Sequence, residues 1–340
     1  MKIFVINEGT CTRVKLYGMD VIKLFASYMV VFIHVLFYGQ IGLAANALAR
    51  FAVPLFFLVS GFYSYQIPPD KIKKRIPHLL FLLIFSSILY TVYNVLMVML
   101  KEGTPAVAEY FSRYGNIKNL IKLFVFNTPV HTTHLWYLLA ALYVYVVFYL
   151  TTIWKFHEKL LFAVSVLALL LHIFLGEVLS IFHIEVPIPL LRNFLLLGIP
   201  FFGLGMLANK HQDNLRTVPG FVLVISAIVG IVLTLLSRYF FGVHEVHVGS
   251  LFILFSLVTI FIKYPNLRYP HVLIAATSCS TYIYIFHPAI SGVIRQVYKL
   301  IHIDVQASVA LQMIHPLIVC IFSTVAAYAM EWLVKKFKKR

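Results

Sequence analysis

Long apolar runs broken by short polar punctuation fill the chain from about residue 20 to its end. An α-helix rising about 1.5 Å per residue needs roughly twenty such residues to cross the hydrocarbon core of a bilayer. Cutting the sequence at its punctuation predicts about ten spans, at 21–40, 47–65, 78–100, 134–153, 159–176, 189–208, 218–237, 249–263, 271–291 and 307–334. The short alternating segments of a transmembrane barrel are not evident. The pattern predicts an all-α fold, a polytopic membrane protein with one integral membrane domain over 1–340 and no soluble catalytic domain. Between the third and fourth spans, "SRYGNIKNLIKLFVF" (112–126) has the amphipathic pattern of a helix lying on the membrane surface.

Composition agrees with this reading. Of the 340 residues, 61% are hydrophobic and 12% charged, against about 45–50% and about 25% in soluble domains. Lys and Arg number 28 and Asp and Glu 12, a formal charge of +16. The basic residues gather in loops such as "DKIKKR" (70–75) and in the terminal "KKFKKR" (335–340). The positive-inside bias and contact with anionic lipid account for such clusters, so no nucleic-acid partner is expected. Both termini are expected in the cytoplasm. Cys11, Cys279 and Cys320 are too few and too widely spaced for a disulfide framework or a zinc site.

Polar groups inside apolar sequence carry the functional information, because charge at membrane depth is costly. Within "GMDVIKLFASYMVVFIH" (18–34), Lys23 and His34 lie eleven residues apart. On a helix that spacing is roughly 20° of rotation and about 16 Å of rise, so both line one face, with Ser27 on the same stripe. The second span opens with Arg50 in "RFAVPLFFLVSGF" (50–62), and the turn after it carries Lys71, Lys74 and Arg75. His131, His134 and Trp136 begin the fourth span, and Arg192 with Asn193 heads the sixth. In "SCSTYIYIFHPAI" (278–290), Ser280, Tyr284 and His287 align at i, i+4 and i+7. His131 and His134 lack a third ligand, so no metal is expected. No Asp or Glu falls in the middle of a predicted span. That absence weighs against a buried-acid triad and against a proton relay.

Taken in order, Lys23-x10-His34, "VPLFFLVSGF", "HLWYL" and "STYIYIFHP" resemble the blocks of the acyltransferase-3 family, whose first-helix motif is usually Arg-x10-His. "RFAVPLFF", "HLWYL" and "RNFLLLGIPFFGLGML" (192–207) are also similar to the membrane half of vancomycin-resistance serine racemases. The first resemblance implies a multispanning enzyme that moves an acyl group, commonly acetyl, from cytoplasmic acyl-CoA to a hydroxyl outside. The acceptor would be a cell-envelope glycan or a small molecule, and the membrane that of a bacterial cell. His34 would be the catalytic base. Lys23 stands where the family has arginine, keeping the charge without the planar fork. It would hold the donor together with Ser27, Lys71, Lys74 and Arg75. Arg50, His134, Trp136, Arg192, Asn193, Ser280, Tyr284 and His287 would face the acceptor. The second resemblance implies an alternative, a transport domain for serine or another small polar solute. The sequence leaves the oligomeric state open.

Overall fold

A computed structural model describes residues 2–7, 10–15, 17–129, 132–265 and 276–338, together with 270 and 273. Two strands precede the helices, β1 (Lys2–Asn7) and β2 (Thr10–Lys15), paired antiparallel with Lys2 opposite Lys15. The sequence reading has no strand here. These six-residue segments are too short to register against the apolar pattern of the spans. The helices follow as α1 (Tyr17–His34), α2 (Gly39–Ala49), α3 (Ala52–Phe62), α4 (Pro69–Lys73), α5 (Arg75–Glu102), α6 (Ala106–Tyr114), α7 (Ile117–Val125), α8 (Trp136–Ile153), α9 (Glu158–Ile173), α10 (Ile199–Lys210), α11 (Gly220–Phe241), α12 (Val248–Lys263), α13 (Ser280–Leu300) and α14 (Val309–Lys338). Among the described residues, seven helical segments are long and apolar enough to cross a bilayer, and Phe194–Lys210 and Val248–Lys263 are shorter apolar helices. The protein is an all-α multi-pass membrane protein.

Several boundaries differ from those expected. The first span, expected at 21–40, is the helix Tyr17–His34, and residues 35–38 are non-helical. Gly39 (φ 58°) then redirects the chain within a run that stays apolar, which hydropathy alone does not register. The second span, expected at 47–65, is two helical pieces within the 24-residue segment Gly39–Phe62. The break falls at Arg50 and Phe51, and Pro54 sits in the first turn of α3, where its missing N–H costs least. Arg50 therefore lies midway along this apolar segment and not at its head. The span expected at 159–176 extends to Ile181 through a π-helical turn, Phe174–Val178, which brings Glu177 inside the span and buries it. Glu177 lies near the end of that span, so the middle of the span stays free of carboxylates. The ninth span, expected at 271–291, falls partly outside the described residues, and its helix runs from Ser280 to Leu300.

The chain divides into two compact units, Met1–Tyr63 with Leu207–Arg340, and Ser64–Met206. In the first, α1 packs against α2, α3 and α13. Leu24, Val31 and Val35 form a buried core there with Ile283 and Val319. In the same unit α11 and α12 meet through Gly230 and Gly249. A Cβ on Gly230 would lie 2.6 Å from the Gly249 carbonyl oxygen and 2.9 Å from the Ile253 nitrogen. Small residues permit this approach of two backbones. In the second unit the turn after α3 is anchored by the fully buried Ile72. The surface segment forms α6 and α7. Asn116 caps α7 by accepting a hydrogen bond from the Asn119 N–H at 3.0 Å. Ile117, Leu120, Ile121 and Phe124 present an exposed apolar stripe at i, i+3, i+4 and i+7, as in a helix lying in the bilayer interface.

Gly230→Val is expected to destabilise the protein by about 1–3 kcal/mol, because the obstructing atoms are backbone and the helices must separate. Gly220→Ala, where a Cβ meets nothing within 4 Å, is expected to leave stability unchanged. Thermal unfolding of the two variants in detergent checks the contrast.

Candidate functional site

Because α1 is unbroken from Tyr17 to His34, it preserves the three-turn spacing of Lys23 and His34 along one face. His34 ends the helix and is accessible. Lys23 is half-buried, its side chain 26% exposed, and its ammonium lies 3.0 Å from the Asp20 carboxylate one turn earlier. Ser27 is fully buried. Its hydroxyl lies 2.9 Å from the carbonyls of both Lys23 and Ser280. It sits where α1 packs on α13.

His34 meets His287, their ring centroids 5.2 Å apart and inclined at 35°. His287 is fully buried and is fixed by its sequence neighbour. Pro288 has no N–H to donate to the carbonyl four residues earlier, that of Tyr284. Nδ1 of His287 takes that carbonyl instead, at 2.8 Å. Nδ1 must donate this bond, so Nε2 is the acceptor nitrogen of the neutral ring. Tyr284 is buried, its ring centroid 6.3 Å from that of Phe56. Ser280 is buried where α1 packs on α13, its carbonyl accepting from Ser27. Ser280, Tyr284 and His287 are thus all buried along one stripe of α13, with Ser280 and His287 meeting α1.

Arg50 is committed as well. Its Nε and Nη2 donate to Asn46 Oδ1 at 3.2 and 3.1 Å, and its Nη1 lies 3.1 Å from Glu245. Asn46 Nδ2 donates to the Ile33 carbonyl at 2.8 Å. Glu245 belongs to the loop between α11 and α12, folded around the fully buried His247. Nδ1 of that histidine lies 3.0 Å from Ser237 Oγ, and its Nε2 accepts from the His244 N–H at 3.4 Å. Sequence reasoning missed Asn46, Glu245 and His247. An Asn and an Arg at i and i+4 in apolar sequence is a readable signal, whereas nothing local connects Glu245 with an arginine 195 residues away.

The other expected site residues belong to the second unit. Lys71 and Lys74 are exposed beside α4. Arg75 is half-buried, donating to Ser64 Oγ at 2.8 Å and to the Tyr145 hydroxyl at 2.9 Å, so it braces the turn. His134 is buried, edge-on to Tyr90 at 4.7 Å. The Arg192 guanidinium lies 5.9 Å from the centroid of the buried Trp136 ring, a cation–π arrangement. Asn193 caps the helical run that begins at Phe194. Its Oδ1 accepts from the Leu195 and Leu196 N–H groups at 2.9 Å, and its Nδ2 donates to the carbonyls of Leu190 and Pro189 at 2.7 and 3.1 Å. Both ends of that amide are engaged within the fold. No group of three His, Cys, Asp or Glu among the described residues could hold a metal. His131 lies outside the described residues.

Comparison with known proteins adds one finding. A family model described as an acyltransferase domain matches residues 16–332. No curated protein and no solved structure matches the chain. The match takes in every helix from α1 through most of α14, including the stretch that carries Lys23 and His34. The chain belongs to the acyltransferase-3 family, and it is a multi-pass membrane acyltransferase.

Proposed function

We propose that the protein transfers an acyl group, commonly acetyl, from cytoplasmic acyl-CoA to a hydroxyl of an extracytoplasmic acceptor such as a cell-envelope glycan, across a bacterial cytoplasmic membrane. The observation that carries this reading is His34. It is an accessible imidazole at the end of an unbroken membrane helix, packed against a second imidazole whose tautomer is fixed. A histidine so placed suits general acid–base work. His34 takes the proton of the acceptor hydroxyl as its oxygen bonds to the thioester carbon. When the carbon–sulfur bond breaks, the imidazolium returns that proton to the departing thiolate. Lys23 sits about three turns away on the same helix face, the distance over which the pantetheine arm would extend between phosphates and thioester.

His34→Ala is expected to lower transfer by about 10²–10⁴, the usual contribution of a general base, while acetyl-CoA binding is retained. The assay is thiol release from acetyl-CoA by protein in proteoliposomes, with soluble cell-envelope glycan fragments as acceptor. Undiminished transfer by the folded variant would overturn the mechanism. Serine uptake into the same liposomes that is independent of CoA would favour the transport alternative.

The Lys23–Asp20 pair gives a second expectation of opposite signs. Lys23→Ala should raise KM for acetyl-CoA roughly three- to tenfold, whereas Asp20→Asn, which releases the ammonium from its carboxylate, should lower it. Both effects should shrink in high salt. Steady-state kinetics at two ionic strengths separates this from a purely structural role, which would move both KM values the same way.

A further inference from the structure

We propose that Asn46, Arg50 and Glu245 form a positioning assembly that holds the His34 end of α1 in its reactive placement. The inference rests on the reading of His34 as the base. It assigns Arg50 a role other than the substrate contact its sequence position suggests.

Helix α1 ends at His34, and the last four carbonyls of a helix have no intrahelical donor. The carbonyl of Ile33, next to His34, is one of these, and Asn46 Nδ2 takes it at 2.8 Å. An amide can turn over and offer its oxygen instead, which would repel that carbonyl. Here the oxygen is occupied, because Arg50 donates to it through both Nε and Nη2. The amide is therefore locked with its NH₂ toward α1. Arg50 is in turn oriented through Nη1 by Glu245. The Arg50 and Glu245 side chains are only 16% and 12% exposed. A guanidinium so enclosed is balanced by the carboxylate beside it. Glu245 has its own support in the loop folded around His247. From the loop to the helix end, each polar group fixes the orientation of the next. All of them belong to the same compact unit as His34 and His287.

Asn46→Asp tests the last link alone. The new carboxylate still accepts from Arg50, which then faces two carboxylates, and the donor to the Ile33 carbonyl is lost. Displacing a reacting group by about an ångström costs up to about 10²-fold in rate. The expected result is a kcat for acetyl transfer lowered ten- to a hundredfold, with KM for acetyl-CoA unchanged within twofold and the unfolding temperature retained. Adding Glu245→Gln to Asn46→Asp should lower kcat no further, since members of one assembly fail together. If Asn46→Asp does not fold, Glu245→Asp, which keeps the charge and withdraws it by one methylene, is expected to show the same split between kcat and KM. Full kcat in Asn46→Asp alongside an inactive His34→Ala would overturn the assembly and leave the base intact. An active His34→Ala would overturn the base itself. A rise in KM for the glycan fragments with kcat preserved in Arg50→Lys would return Arg50 to substrate binding.

Discussion

An arginine midway along an apolar segment has to be neutralised by protein, because lipid offers it neither water nor a counter-charge. Arg50 occupies that position, and much of the ordering around α1 follows from it. The guanidinium draws the loop between α11 and α12 to α2 through Glu245, and it draws Asn46 into one orientation. Asn46 then closes on α1. The same requirement explains other polar groups within the helices. Ser27 bridges two carbonyls, Asn193 spends both ends of its amide on a helix start, and His287 serves the carbonyl that Pro288 leaves over. Groups that read as ligand contacts when considered singly are first spent on making a membrane fold possible.

This constraint narrows where chemistry can reside. A catalytic base must be accessible yet held, and in a membrane helix these demands conflict, since access loosens packing. The proposed base at the end of α1 meets both demands. There the ring of His34 is reachable, while its backbone is tied through Ile33 and its ring is backed by a buried imidazole. His287 can serve as a rigid backing because a proline follows it. Proline in a helix interior costs about 3 kcal/mol or more through the lost bond and the clash. Here the lost bond is replaced by a side-chain bond that fixes a tautomer.

The helices were legible in the sequence because spanning length and hydropathy are local properties, and so was the shared face of Lys23 and His34, which depends only on helical period. The end of the first helix was not. The run "VLFYGQIGLAA" (35–45) stays largely apolar through the turn, and what ends the helix is backbone geometry near Gly39. The expected placement of Arg50 at the opening of the second span followed from that error. Glu245 was illegible for a different reason, since its significance lies in a partner 195 residues away. Asn193 shows a signal with a structural use that the sequence reading did not name. Asparagine ahead of an apolar run is an ordinary helix start, and capping was the simpler reading of its hydrogen-bonding capacity.

Lysine in place of the family arginine at residue 23 acquires a physical sense from its neighbour. An arginine one turn from Asp20 would present a planar fork suited to holding that carboxylate by two parallel bonds, and a phosphate would have to displace both. The ammonium of Lys23 is a point charge on a flexible stem, joined to Asp20 across 3.0 Å at a half-exposed position. It can exchange one oxyanion for another by rotating its stem, with no matching of planes. The donor role proposed for Lys23 then becomes one of charge and reach, not of shape. Recognition of the donor's particular phosphates would fall to groups other than Lys23. Lysine at residue 23 thus preserves the electrostatic part of the motif and gives up its geometric part.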